Sequence, residues 1–128
     1  MQLAESSLYI NIKTLREKLY TCQFMMQKAE RIIYGTPVMT ANMNMMRCFV
    51  LAFMVKDQRI PYLNECIGWF EVLKADMDFI VKENIIKFPA PKEGVNSMKI
   101  DVFELIAMID EDICKWRASL IKGKIVTD

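Results

Sequence analysis

The chain has 128 residues, of which 53% are hydrophobic and only four each are glycine and proline, so a disordered or collagen-like protein is excluded and one folded domain over residues 1–128 is expected. Its 17 basic and 16 acidic residues leave a net charge of +1, so attraction to a polyanion has to come from how charge is distributed. No basic region precedes an apolar run at the start, and no stretch approaches the ~18 apolar residues of a membrane span. We expect a soluble, cytoplasmic protein.

Apolar residues spaced three and four apart predict the first helix, over residues 7–34. They are Leu8, Ile12, Leu15, Leu19, Cys22, Met26, Ala29 and Ile33. Gly35 is expected to end this helix in the left-handed conformation. Thr36 and Pro37 are then expected to cap and begin the next helix.

Three further helices are predicted by the same spacing, over residues 37–55, 60–87 and 97–122. Their apolar positions are Val38, Ala41, Met45, Cys48, Ala52 and Val55; Leu63, Cys66 or Ile67, Phe70, Leu73, Met77 and Ile80; and Val102, Ile106, Ile109, Ile113, Trp116 and Leu120. Pro61 suits a first helical turn, and Ser97 suits an N-cap. Short connections make consecutive helices antiparallel. The predicted fold is all-α, an antiparallel up-down-up-down four-helix bundle.

An enzyme is not expected, because the usual catalytic signatures are missing. The chain has no histidine and no glycine-rich phosphate loop, so nucleophilic triads and nucleotide fingerprints are absent. Four acids of the last predicted helix are candidate metal ligands, namely Glu104, Asp110, Glu111 and Asp112. Di-iron bundles use Glu-x-x-His pairs, however, so we interpret these acids as a solvated face. No cofactor and no metal are predicted.

Cysteine and methionine each allow two interpretations. One cysteine falls on each predicted helix, at Cys22, Cys48, Cys66 and Cys114. If the first two helices pair from a turn at Gly35, Cys22 and Cys48 lie at similar depth, so a four-cysteine metal site is an alternative to buried thiols. The 11 methionines are either core residues or an adaptable partner-binding surface. Helical spacing favours the core in both cases.

Charge is unevenly distributed around a tryptophan near the end of the chain. Trp116 is in register with Ile113 and Leu120, which predicts a core anchor with its indole nitrogen near the rim of the bundle. Antiparallel topology brings basic residues to the end where the first helix begins. These are Lys13, Arg16, Lys18, Lys56, Arg59, Lys115, Arg117, Lys122 and Lys124. Helix dipoles favour bases in late turns, and a site for an anionic partner is the other interpretation.

The third helix, "YLNECIGWFEVLKADMDFIVKENII", and the end of the fourth, "IDEDICKWRASLIKGK", give the chain a resemblance to a known family. Over nearly its whole length it resembles the accessory variability proteins of diversity-generating retroelements. These belong with the four-helix bundle proteins encoded in intervening sequences of large-subunit ribosomal RNA genes. The likeness is one of pattern, with no invariant catalytic motif.

The resemblance implies a homopentamer that is not an enzyme and that binds a reverse transcriptase together with RNA or DNA, in support of mutagenic retrohoming. The tryptophan of that family corresponds to Trp116, and the family's basic residues correspond to Lys115, Arg117, Lys122 and Lys124. The better-known members are strongly basic, whereas this chain is nearly neutral. The alternative is a structural or protein-interaction bundle without a nucleic-acid role, like the ribosomal intervening-sequence proteins.

We call the rows of apolar residues spaced three and four apart the helical seams. Apolar residues outside these seams also indicate self-association, because one small bundle cannot bury them all. They are Tyr20, Phe24 and Met25 on the first predicted helix and Phe49, Phe53 and Met54 on the second.

Overall fold

The computed structural model describes residues 2–90 and 97–127, with side chains up to residue 123 in the last helix. The described residues contain no strand and form four long helices. We name these α1 (Ser7–Gln23), α2 (Thr36–Met54), α3 (Arg59–Lys82) and α4 (Met98–Thr127). The predicted all-α class is therefore confirmed. No helix in the described part of the chain combines the length and apolarity that crossing a bilayer requires.

Neighbouring helices run antiparallel around the bundle. Helix α1 packs on α2 and α4, and α3 packs on α2 and α4. The contacts between neighbouring helices show this, because residue numbers rise along one helix where they fall along the other. The first and second helical segments meet at Arg16 with Asn42 and at Gln23 with Gly35. The second and third meet at Cys48 with Glu65 and at Tyr34 with Phe79, and α3 and α4 meet at Asn64 with Arg117 and at Lys74 with Asp110. This is the up-down-up-down order that the short connections predicted.

The predicted seams form the core, with exceptions at their ends. The seam residues that are buried are Leu8, Ile12, Leu15, Leu19, Cys22 and Met26; Val38, Ala41, Met45, Cys48 and Ala52; Leu63, Cys66, Phe70, Leu73, Met77 and Ile80; and Val102, Ile106, Ile109 and Ile113. Ala29 and Ile33 are exposed, although the spacing had placed them on the first seam. The seam therefore fails where the first helix was predicted to continue.

The first turn lies earlier than predicted. Helix α1 ends at Gln23, and the chain reverses through residues 24–27 before a short helical turn at Lys28–Glu30. The predicted end at residue 34 is wrong because Met26, although in the turn, is buried and keeps the apolar spacing unbroken.

Gly35 and Pro37 lie inside a continuous helix rather than at a turn. Gly35 has a helical φ of −70°, so the predicted left-handed cap is wrong. The segment Arg31–Gly35 is π-helical, and the Thr36 amide donates to the Arg31 carbonyl. Pro37 has no amide hydrogen and would clash with the carbonyl four residues back in an α-helix. The wider π turn accommodates it.

Gly35 lies in close contact with the end of α1. A Cβ at this position would lie 3.2 Å from Gln23 Cγ and 3.5 Å from Met26 Sδ. Without a side chain of its own, Gly35 lets the side chains of Gln23 and Met26 pack against its backbone.

Helix α3 ends earlier than predicted, and α4 ends later. Helix α3 stops at Lys82, short of the predicted residue 87, because Asn84 adopts a φ of 56° and the Ile85 amide donates to the Ile80 carbonyl at 3.0 Å. This is a Schellman-type ending with asparagine in the left-handed position. The predicted N-cap is confirmed, since Ser97 Oγ accepts from the Ile100 amide at 3.2 Å. Helix α4 continues past the predicted residue 122.

The two central helical glycines provide a test of the close approach at Gly35. Gly68 lies within α3 and has nothing within 4 Å of its Cβ position. We expect Gly68→Gln to raise the free energy of unfolding by ~0.8 kcal/mol, because glutamine is the better helix former. We expect Gly35→Gln to lower it by ~1–3 kcal/mol, because the added side chain overpacks the Gln23 contact. Urea unfolding followed by circular dichroism measures both, and equal shifts would contradict the close approach.

Candidate functional site

The turn between α2 and α3 places two basic residues beside Trp116. Helix α2 ends at Met54, a short 3-10 turn follows at Lys56–Gln58, and α3 begins at Arg59. Lys56, Arg59 and Trp116 all line one groove. The prediction that the second turn meets the late part of α4 at one end of the bundle is confirmed.

Arg59 caps the end of α2. Its Nε donates to the Ala52 carbonyl at 3.0 Å, and its Nη2 donates to the Phe53 carbonyl at 2.9 Å. Helix-terminal carbonyls lack intrahelical partners and carry partial negative charge, so a guanidinium both satisfies and stabilises them. The guanidinium carbon also lies 5.9 Å from the centroid of the Trp116 ring. Arg59 thereby connects the end of α2, the start of α3 and the late part of α4.

Trp116 is half-buried and packs against the core. Its ring centroid lies 5.6 Å from that of Phe49, with the planes at 62°, which is a favourable edge-to-face geometry. Phe49 is only 1% exposed, so its predicted position outside the core is wrong. Trp116 therefore joins the buried Phe49 to the surface cation Arg59, as a core anchor at the rim.

A groove of about 670 Å³ opens beside this aromatic pair. Its apolar lining comes from α1, α2 and α4: Leu8, Phe49, Phe53, Met54 and Trp116. Its polar lining consists of Ser6, Ser7, Lys56, Arg59 and Asp112. No sequence motif signalled this groove, because its walls come from three separate segments that meet only in the folded chain.

The basic residues of α4 lie near Trp116 in the sequence, do not line the groove and differ in their partners. Arg117 Nε donates to Asn64 Oδ1 at 2.6 Å. Lys115 pairs with Glu111 at 2.7 Å, which raises the pKa of Lys115 and lowers that of Glu111. Both of these side chains are solvent-exposed, so the pair contributes little to stability. Lys122 is exposed beyond them, and the side chain of Lys124 lies outside the described residues.

The structure does not bring Arg16 and Lys18 of α1 to this end, although both were predicted to lie there. Arg16 Nε donates to Oδ1 of the fully buried Asn42 at 3.1 Å, in the middle of the bundle. Lys18 lies on the far half of α1, close to Cys22. Burial raises the pKa of Cys22 to about 11, and the charge of Lys18 partly opposes that shift. Lys13 is exposed little more than one turn beyond Leu8. Of the three, Lys13 is the nearest to this end, and none of them lines the groove.

The four cysteines are not gathered into one site. Because Gln23 lies beside Gly35, Cys22 and Cys48 are separated by ~18 Å along the bundle, at 1.5 Å per residue; their predicted similar depth is wrong. Cys48 Sγ donates to Glu65 Oε2, and Cys66 Sγ donates to the Met45 carbonyl, both at 3.3 Å. Burial raises the pKa of Cys66 to about 12. Among the described residues, no cluster of three or more Cys, Asp or Glu side chains is placed to hold a metal ion.

No protein-family model matches the chain, and no curated protein is significantly similar to it.

Removing the guanidinium of Arg59 tests the cap at this end. We expect Arg59→Ala to lower the free energy of unfolding by ~2 kcal/mol, because two carbonyls lose a charged donor. The tryptophan emission should also change, since Arg59 lies over the Trp116 ring. Lys56→Ala is the matched control, because it removes an exposed basic side chain. Urea unfolding measures both, and equal stability of the two variants would contradict the capping role.

Proposed function

We propose that the chain is a non-enzymatic accessory protein of a diversity-generating retroelement, which binds a reverse transcriptase and RNA or DNA through the end of the bundle around Trp116. The observation that supports this most is the placement of basic residues from two helices and a turn at that end. They are Lys56, Arg59, Lys115, Arg117 and Lys122. The family resemblance supplies the identity of the partners, and the geometry supplies the surface.

The exposure of α4 makes this surface accessible. Arg117 contacts Asn64 of α3, and α3 begins at Arg59, so in the antiparallel pair Lys122 lies level with the start of α3. Lys115 and Lys122 are both exposed. Exposed lysines on a helix surface can approach phosphates without displacing the packed core. Acids at the same end, Glu111 and Asp112 among them, limit the excess positive charge, which favours a local contact over broad affinity for polyanions.

The contribution of the basic helix end to nucleic-acid binding is testable. We expect a variant with Lys115, Arg117, Lys122 and Lys124 all changed to Ala to bind RNA or DNA more weakly. Its log affinity should also depend less steeply on log salt, by ~0.7–0.9 for each phosphate that the variant no longer neutralises. Fluorescence anisotropy at several salt concentrations measures both quantities, and co-purification measures capture of the reverse transcriptase.

The matched control changes four exposed lysines toward the opposite end, Lys28, Lys82, Lys87 and Lys99, to Ala. It removes the same charge, so it separates local contact from total charge. Equal affinity and equal salt slopes in the two variants, with helical content intact, would contradict the proposal.

A second proposed property, self-association, is supported by an exposed apolar face along the junction of α1 and α2. Tyr20 lies one turn after Arg16, and Met46 lies one turn after Asn42, so both share the side of the Arg16–Asn42 hydrogen bond. Tyr20 is 56% exposed. An exposed apolar face of this kind favours a protein partner, and the resemblance implies further copies of the chain, as a pentamer.

Disrupting that face should change the mass of the particle. We expect light scattering at micromolar concentration to give five times the 15.0 kDa of one chain. The variant Tyr20→Glu should dissociate, because burying the new carboxylates between copies is costly. The control Val72→Glu makes the same kind of change at an exposed apolar residue of α3. A 15.0 kDa particle for the unaltered chain, or equal dissociation of both variants, would contradict the assignment.

A further inference from the structure

We propose that the groove beside Trp116 is a binding site for a small amphiphilic anion, a molecule with an apolar body and one anionic group. This inference goes beyond the proposed function and does not require it: the groove shares Lys56 and Arg59 with the proposed nucleic-acid surface, but its apolar wall is not part of that surface. Its volume of about 670 Å³ falls within the ~300–1,000 Å³ of small-molecule sites. Such sites combine an apolar wall with polar groups that orient the ligand, and this groove has five lining residues of each kind.

The apolar wall of the groove is held in place by contacts that exist without a ligand. Phe49 is buried and meets Trp116 edge to face. Arg59 fixes the last carbonyls of α2, and with them the neighbouring Phe53 and Met54. Met54 is nonetheless 64% exposed. A preformed wall with exposed apolar surface gains from covering that surface, since little ordering is required on binding.

The polar rim selects an anionic group. Lys56 and Arg59 supply two positive charges, against one carboxylate from Asp112. Ser6 is the N-cap of α1, with its Oγ accepting from the Tyr9 amide at 3.3 Å, so the positive end of the α1 dipole also faces the rim. The charge of Asp112 is partly offset from outside the groove, because it also raises the pKa of Lys115. The side chains that line the groove therefore carry a net charge of +1.

Geometry also sets the position of the two parts of the ligand. The apolar body would lie against Phe53, Met54 and Trp116, and the anionic group would lie toward Lys56 and the start of α1. A nucleotide fits this division poorly, since its sugar and base edges would bury polar groups against an apolar wall without hydrogen-bond partners.

The direct test uses Trp116 as the reporter. The chain has two tryptophans, so Trp69→Phe leaves Trp116 alone. The probe is 8-anilinonaphthalene-1-sulfonate, and its neutral counterpart is N-phenyl-1-naphthylamine, which has the same rings without the sulfonate. We expect saturable binding of one sulfonate per chain with energy transfer from Trp116, and binding of the neutral compound weaker by roughly fivefold. Equal affinity for the two compounds, or no transfer from Trp116, overturns the proposal.

Charge variants at the rim give an independent readout. We expect Lys56→Glu to weaken sulfonate binding by at least roughly fivefold and Asp112→Asn to strengthen it by a similar factor. Lys28→Glu makes the same charge change toward the other end of the bundle, where Lys28 is exposed, and should leave the affinity unchanged. An unchanged affinity in both rim variants, or an equal loss in Lys28→Glu, overturns the proposal.

Competition separates this site from the proposed nucleic-acid surface. Dodecanoate is an aliphatic amphiphilic anion and should displace the sulfonate, whereas adenosine monophosphate should not. Displacement by adenosine monophosphate and not by dodecanoate would assign the groove to nucleic acid and overturn the amphiphile proposal. The loss of RNA binding in the fourfold basic variant of α4 is a separate measurement, so either proposal can fail while the other stands.

Discussion

The bond between Arg59 and the last carbonyls of α2 is the interaction on which the Trp116 end of the bundle depends. One side chain satisfies two carbonyls at 3.0 and 2.9 Å and lies over the Trp116 ring. It joins the end of α2 to the start of α3 and to α4. Without it, the turn at Lys56–Gln58 would lose its attachment to α2, and the groove would lose the position of one wall. Through Trp116, Arg59 also connects the buried Phe49 to the charged surface.

The same device closes the opposite end of the bundle. Arg31 Nε donates to the Gln23 carbonyl at the end of α1 at 3.1 Å, and its guanidinium carbon lies 4.9 Å from the Phe24 ring centroid. At both turns an arginine that follows the turn reaches back to the preceding helix and covers an aromatic ring. A guanidinium suits this position because it offers several donors in one plane while its charge complements the helix dipole. The first turn is therefore stabilised without a left-handed glycine. Gly35 instead lies in the following helix, in close contact with Gln23.

Periodicity predicted the helical class, the antiparallel order and most of the core, because each seam buries one side of one helix. It could not place the first turn, since Met26 is buried from within the turn and extends the pattern. It assigned Arg16 to a charged surface, whereas the buried Asn42 takes that side chain into the bundle. Trp116 and its neighbouring bases were predictable from their position on α4. The groove was not, because Leu8, Met54 and Trp116 become neighbours only when α1, α2 and α4 meet.

Binding of partners at the Trp116 end is the central claim. The most direct measurement is a two-dimensional ¹H–¹⁵N spectrum of the chain during titration with an RNA oligonucleotide, in which Trp69 and Trp116 each give one indole signal. Trp69 lies partly exposed on α3 and is absent from the lining of the groove. We expect the Trp116 indole and the amides of Arg117 and Lys122 to shift while the Trp69 indole stays in place. Shifts confined to Trp69 and the Tyr20 face, with Trp116 unmoved, would contradict the claim.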